Sequence, residues 1–207
     1  DGAGLSFLSI TAALELIGEF AAPVPLLETV VMGALPIQKF GTDAQRNELL
    51  PLISSGELLL TAGLNPGDTV TVDEGKLSGR IDFVPYGLEA EIILIPTEDG
   101  MYLINTSSAG VERTLRETTM GQSQAMITLD QAAGDRLGSA STTEILTWTR
   151  LRVDSGICSI LSGACKASLD LAAEYTKIRH QFDRPIATFQ AVSQRAGDAY
   201  IDTEAVR

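Results

Sequence analysis

The chain has 207 residues, 44% hydrophobic and 20% charged, with a net charge of −12. That length supports one good core or two modest ones, and the composition is that of an ordinary globular protein. The acidity argues against a nucleic-acid surface, which needs clustered Lys and Arg; the few basic residues that do cluster, Arg179, Arg184 and nearby Lys177, suit a single pyrophosphate better than a polymer. A single histidine, His180, excludes a multi-His metal site.

The segment up to about residue 56 reads as helical. Ile10, Ala13, Leu14, Leu16 and Ile17 form an apolar stripe at helical spacing. Pro23 and Pro25 interrupt it, and a second apolar segment runs from Leu26 to Leu35, where Pro36 is expected to close it. Thr42 or Asp43 is placed to cap a third helix over Ala44–Leu52.

Residues 57–138 change character. Short β-rich runs are expected at Leu58–Ala62, Thr69–Val72, Leu77–Val84, Ile92–Ile95, Met101–Ile104, Gly110–Leu115 and Met126–Leu129. Turn signals such as Asn65-Pro66-Gly67-Asp68 and Glu98-Asp99-Gly100 separate them. This pattern suggests a small β-barrel or sandwich.

From residue 139 the pattern is helical again. Thr142–Ile178 contains no Pro, and Gly156 and Gly163 within it allow a neighbouring helix to approach closely. Residues 182–187 form a turn with Pro185 as breaker, and 188–207 begin another helix with Phe189, Val192 and Ala196 on one side. Cys158 and Cys165 lie two turns apart, about 10 Å, too far for a disulfide, and read as buried free thiols in a reducing cytosol. No unbroken apolar run reaches the ~18–20 residues of a membrane span. The start, Asp1-Gly2-Ala3-Gly4, lacks the features of a signal peptide and does not begin with Met.

The string Tyr175-Thr176-Lys177-Ile178-Arg179-His180-Gln181-Phe182-Asp183-Arg184-Pro185-Ile186-Ala187-Thr188-Phe189-Gln190 resembles the segment that opens the C-terminal helical domain of acyl-CoA dehydrogenases, roughly Y-x-x-x-R-x-Q-F-G-x-P-I-x-x-F-Q. Other segments resemble the same family: Gly2-Ala3-Gly4-Leu5-Ser6; Phe40-Gly41-Thr42 with Gln45-Arg46, Leu50-Pro51 and Ser55-Gly56-Glu57; and Leu77-Ser78-Gly79-Arg80 with Phe83-Val84-Pro85 and Glu89-Ala90. The last resembles a divergent actinobacterial branch. The resemblance implies an α+β, multi-domain fold: a partial helical N-domain over 1–56, a middle β-barrel over 57–138, and the start of an incomplete C-terminal helical bundle over 139–207. It also implies that the chain is truncated at both ends.

The resemblance implies FAD as cofactor. Arg179 matches the arginine that contacts a flavin bound mainly by a neighbouring subunit, Gln181 and Gln190 match polar flavin-contacting positions, and Phe182 matches a packing position beside the cofactor. A guanidinium fork suits the flavin's pyrophosphate. Arg179 and Gln181 have a plainer reading as caps of a helix C-terminus, where cations are favoured.

The chain also departs from the family. Asp183 stands where Gly is usual, a position that favours left-handed backbone. Thr61-Ala62-Gly63-Leu64-Asn65-Pro66-Gly67-Asp68 lacks the Glu and Ser of the flavin loop T-E-P-x-A-G-S-D. In Phe83-Val84-Pro85-Tyr86, aligned with W-I-T-N, Pro85 has neither the hydroxyl nor an N–H. The long-helix position where some branches carry the catalytic carboxylate is Val153. The substrate-contacting Asp and Arg positions hold Leu151 and Asp154, and no catalytic base is assigned.

The leading expectation is a subunit of an FAD-dependent acyl-CoA dehydrogenase of the steroid side-chain type. It dehydrogenates an acyl-CoA substrate, pairs with a homologous subunit in a hetero- or homotetramer, passes electrons to a transfer acceptor and resides in the cytoplasm. The alternatives are a self-sufficient homotetrameric enzyme with its Glu beyond Arg207, and a scaffold subunit that binds no flavin.

Overall fold

A computed structural model describes residues 4, 6–65, 69–119 and 121–206. Of the family-like N-terminal string, Gly2, Ala3 and Leu5 lie outside the described residues, as do Pro66–Asp68 of the expected turn. Two compact units make up the chain, Asp1–Val24 with Asp154–Arg207, and Pro25–Val153.

The first apolar stripe lies in α1 (Phe7–Phe20). The helix ends on Ala21 in a left-handed conformation (φ 47°). The Ala21 N–H donates to the Gly18 carbonyl and the Ala22 N–H to that of Ile17. This closing motif normally uses glycine, so Ala21 carries a conformational cost.

In the second unit, Pro36 does not close the second apolar segment. A π-helical stretch, Leu27–Ala34, passes directly into α2 (Leu35–Phe40), with the Leu35 N–H bonded to the Val30 carbonyl. Pro36 sits in the first turn of α2, where the hydrogen-bond register changes and its missing N–H is tolerated. Thr42 caps α3 (Asp43–Ser55) in a reciprocal box. The Gln45 N–H donates to Thr42 Oγ1 (3.2 Å) and the Thr42 N–H to Gln45 Oε1 (2.9 Å). The Gln45 amide also donates to Asp135 Oδ2 (2.6 Å) and the Arg136 carbonyl (2.9 Å), so one buried side chain caps a helix and ties it to the sheet.

Two four-stranded sheets follow. One has the order β1-β4-β5-β8: β1 (Leu60–Ala62) runs parallel to β4 (Ile92–Pro96), and β5 (Met101–Asn105) and β8 (Asp135–Arg136) pair antiparallel. The other is antiparallel, β2-β3-β7-β6: β2 (Thr69–Asp73), β3 (Lys76–Pro85), β7 (Gln124–Ala133) and β6 (Val111–Arg116). The seven expected strands are present, and the short polar β8 is an addition. The sheets face each other across a core of Leu77, Ile81 and Ile127 against Ile93, Ile95 and Ile104. A second cluster covers the opposite face of β4 and β5, where Leu94, Met101 and Leu103 meet Ile37, Leu49, Leu137 and Ile145. Burial on both faces explains why Ile92–Ile95 reads as a continuous apolar run, whereas β3 buries only Leu77, Ile81 and Val84 and shifts register between them.

The long helix α4 spans Thr142–Ile178 as the Pro-free run predicts. In the first unit its later part crosses α1 backbone against backbone. A Cβ added to Gly18 would lie 1.9 Å from the Ile160 carbonyl oxygen, and one added to Gly163 would lie 1.9 Å from that of Glu15. Lys166 and Glu19 pair beside the crossing (2.8 Å). Cys158 and Cys165 are free but exposed, not buried. One 18-residue stretch of α4, with mean hydropathy 1.2, is long and apolar enough to cross a membrane by length and composition alone. After α4 come β9 (His180–Gln181), β10 (Arg184–Pro185), a 3₁₀ turn (Ile186–Thr188) and α5 (Gln190–Val206).

Candidate functional site

The family-like string folds into a two-residue β-hairpin. Gln181 pairs with Arg184 and His180 with Pro185, which leaves Phe182 and Asp183 as the loop. Both loop residues are left-handed, with φ of 53° and 62°. That is the turn usually built from Asn-Gly, because its twist matches the strands. Asp183 thus occupies the left-handed position anticipated from the usual glycine. Phe182 does too, and the residue is 87% exposed. A bulky left-handed residue is strained, and such strain concentrates at functional positions.

The sequence-derived site residues lie together in this segment. Arg179 and Gln181 flank and form β9, Phe182 tips the hairpin, and Gln190 opens α5. The Phe182 ring meets Phe189 edge-on, with centroids 6.1 Å apart. All four of these site residues are exposed. Among the described residues, the side chains of Arg179, Gln181 and Gln190 make no hydrogen bond or ion pair. Neither Arg179 nor Gln181 therefore caps α4 through its side chain. A free guanidinium and two free amides beside a helix N-terminus suit a diphosphate. FAD fits this surface through that group.

The β-domain presents the opposite picture. Thr61, fully buried, spends its hydroxyl on the Pro85 carbonyl (2.8 Å). A bulge between Ile81 and Val84 turns Phe83 outward at φ 54°, and Tyr86 is also left-handed (φ 51°). The Tyr86 N–H is taken by the Ser123 carbonyl (2.9 Å). Glu28, on the π-helical stretch and only 5% exposed, accepts from the Gln122 amide (2.7 Å), and Gln124 donates to Gln122 in turn (3.2 Å). Burial raises the Glu28 carboxyl above its ordinary range, partly offset by a backbone bond and by Gln122. Burial, and secondarily the charge of Glu28, raises the Tyr86 phenol. Glu28 escaped sequence reasoning because it sits inside an apolar segment; a lone acid among Leu and Val was the available signal.

The polar groups at this end of the β-domain are thus bonded to one another. A flavin ring seeking a hydroxyl at position 85 finds a proline, so these residues do not fit the ring in the family's manner. On α4, Val153 packs half-buried against the second core, Leu151 is 62% exposed and Asp154 is exposed.

Comparison with known proteins agrees with this architecture. The model of the acyl-CoA dehydrogenase N-terminal domain matches residues 1–57, and that of the C-terminal domain matches residues 137–207. Acyl-CoA dehydrogenase FadE27 of Mycobacterium tuberculosis is 31% identical over all of this chain and 58% of its own length. The Tcur3481-Tcur3483 steroid ACAD, solved as a variant, is 34% identical with a TM-score of 0.88, over 99% of this chain and 59% of that one. The ChsE4-ChsE5 complex from Mycobacterium tuberculosis is 31% identical with a TM-score of 0.88, over 98% and 59%. The chain spans somewhat under three-fifths of the length of these relatives.

Proposed function

This chain belongs to the acyl-CoA dehydrogenase family, and from that premise we propose that it is a subunit lending Arg179, Gln181, Phe182 and Gln190 to a flavin held mainly by a homologous partner. The observation that carries the reading is a contrast. The side chains of Arg179, Gln181 and Gln190 are exposed and make no hydrogen bond or ion pair among the described residues, while in the β-domain segments likened to the flavin loops Thr61 spends its hydroxyl on the Pro85 carbonyl and the Tyr86 N–H donates to that of Ser123. The reaction is α,β-dehydrogenation of an acyl-CoA thioester, in which bound FAD accepts the hydride.

Arg179 meets the diphosphate by charge-assisted hydrogen bonds. Gln181 and Gln190 supply neutral donors and acceptors around it, and Phe182 packs against the cofactor. The proton-abstracting carboxylate comes from elsewhere, since Val153 offers no titratable group. The likeness to a steroid ACAD and to the two-protein ChsE4-ChsE5 complex supports a bulky acyl group and pairing with a homologous subunit; a hetero- or homotetramer, a cytoplasmic location and an electron-transfer acceptor complete the proposal.

Arg179→Ala tests the proposal. Loss of most flavin from the assembled protein, with the assembly itself intact, is expected. Unchanged flavin content would instead support a scaffold that does not touch the cofactor.

A further inference from the structure

The hairpin register brings one more cation to the surface that carries Arg179 and Gln181. Arg184 pairs directly opposite Gln181, and the Ile186 N–H donates to the Arg179 carbonyl (2.8 Å), which extends the ladder by one step. Opposed residues of an antiparallel pair share a face, as do alternate residues along each strand. Arg179, Gln181 and Arg184 therefore share one face of the hairpin, and His180 and Pro185 share the other.

Arg184 is also held in place. Its guanidinium lies 4.2 Å from the centroid of the Phe189 ring, and Phe189 in turn meets Phe182. Stacking of this kind engages the face of the guanidinium and leaves its in-plane N–H donors available. Among the described residues no carboxylate pairs with it. Asp183 adds a negative charge at the loop, so with Arg179 alone the hairpin would carry no net positive charge. Arg184 restores it.

We infer that Arg184 is a second diphosphate-binding cation of this surface, kept in position by Phe189, so that two guanidinium groups meet the two negative charges of the flavin's diphosphate. The inference rests on the reading that FAD lies against this hairpin. The experiment measures the FAD dissociation constant of the assembled full-length protein by flavin fluorescence across a range of NaCl concentrations. Wild type is compared with Arg179→Gln, Arg184→Gln and Arg184→Lys, and melting temperature is recorded for each.

Arg184→Gln should weaken FAD binding about tenfold and flatten its salt dependence, as expected for loss of one charge-assisted contact. Arg184→Lys should keep the salt dependence and lose affinity by a smaller factor, because an ammonium carries charge without the planar fork. If Arg179→Gln weakens FAD while Arg184→Gln changes neither affinity nor salt dependence, Arg184 is not a ligand and the inference falls alone. A lowered melting temperature with unchanged FAD binding overturns it equally, by reducing Arg184 to a prop for Phe189. If both glutamine variants bind FAD as wild type does, the reading of the hairpin as a flavin surface falls with it.

Discussion

Gly163→Ala should destabilise the protein although Ala is the better helix former. The substitution gains about 1 kcal/mol of helix propensity. It also places a Cβ 1.9 Å from the Glu15 carbonyl oxygen and 2.7 Å from the Glu19 nitrogen, both backbone atoms of α1 that cannot rotate away. Restoring even a 3.0 Å separation requires the helices to part by about 1.1 Å. Overpacking of this kind costs about 1–3 kcal/mol, and rigid backbone on both sides puts this case at the upper end. The net loss is about 2 kcal/mol, a fall in melting temperature of about 4–8 °C for a chain of this size. Gly197 in α5 is the internal control, since a Cβ there meets nothing within 4 Å. Gly197→Ala should raise the melting temperature by about 2–4 °C. Gly18→Ala strains the same crossing at Ile160, so the Gly18→Ala/Gly163→Ala pair should cost less than the sum of the singles. Thermal unfolding followed by circular dichroism reads all four. A shift of Gly163→Ala in the same upward direction as Gly197→Ala would refute the close crossing.

Other consequences are as direct. Glu28→Gln should change the pH dependence of stability. The raised carboxyl of Glu28 contributes stability that is complete below the unfolded value near 4.5 and is lost as pH rises through the folded value. The variant has no such loss, so in denaturant titrations its stability relative to wild type should rise as pH climbs from acid to alkaline; a constant difference would show that folding leaves the Glu28 carboxyl unshifted. Thr42→Ala removes the acceptor of the Gln45 N–H and should cost about 1 kcal/mol, measured by urea denaturation, while Thr42→Asp should cost less. Asp183→Gly relieves a left-handed non-glycine residue and removes a negative charge from the hairpin; FAD should be retained more tightly, and looser retention would show that the aspartate is itself a ligand.

Much of this architecture was legible in the chain because local signals agreed with the tertiary outcome. Thr142–Ile178 lacks proline and is helical to both ends, and Thr42 with Gln45 is a capping box that needs only its own four residues. The strands between Leu60 and Ala133 were readable because turn residues punctuate them. What escaped depends on partners distant in sequence. Pro36 reads as a terminator until the π-helical register before it is known. The polarity of Glu28 makes sense only with Gln122, a neighbour far along the chain. Cys158 and Cys165 look like core residues by type, but exposure is set by what packs on their face of α4. Within the site, the motif located Arg179, Gln181, Phe182 and Gln190. Basic clustering in the sequence already groups Arg184 with Arg179 as a cation suited to a pyrophosphate, but its place opposite Gln181, on the same face, follows only from the hairpin register.

The central claim is that this chain completes a partner's flavin site and does not hold a flavin of its own. The flavin-to-chain ratio of the full-length protein, purified alone and then after co-expression with a homologous partner, tests it most directly. The account predicts no flavin alone and about one flavin per pair of unlike chains. About one flavin per chain in the protein purified alone would contradict it, and would show that the β-domain holds FAD despite Pro85.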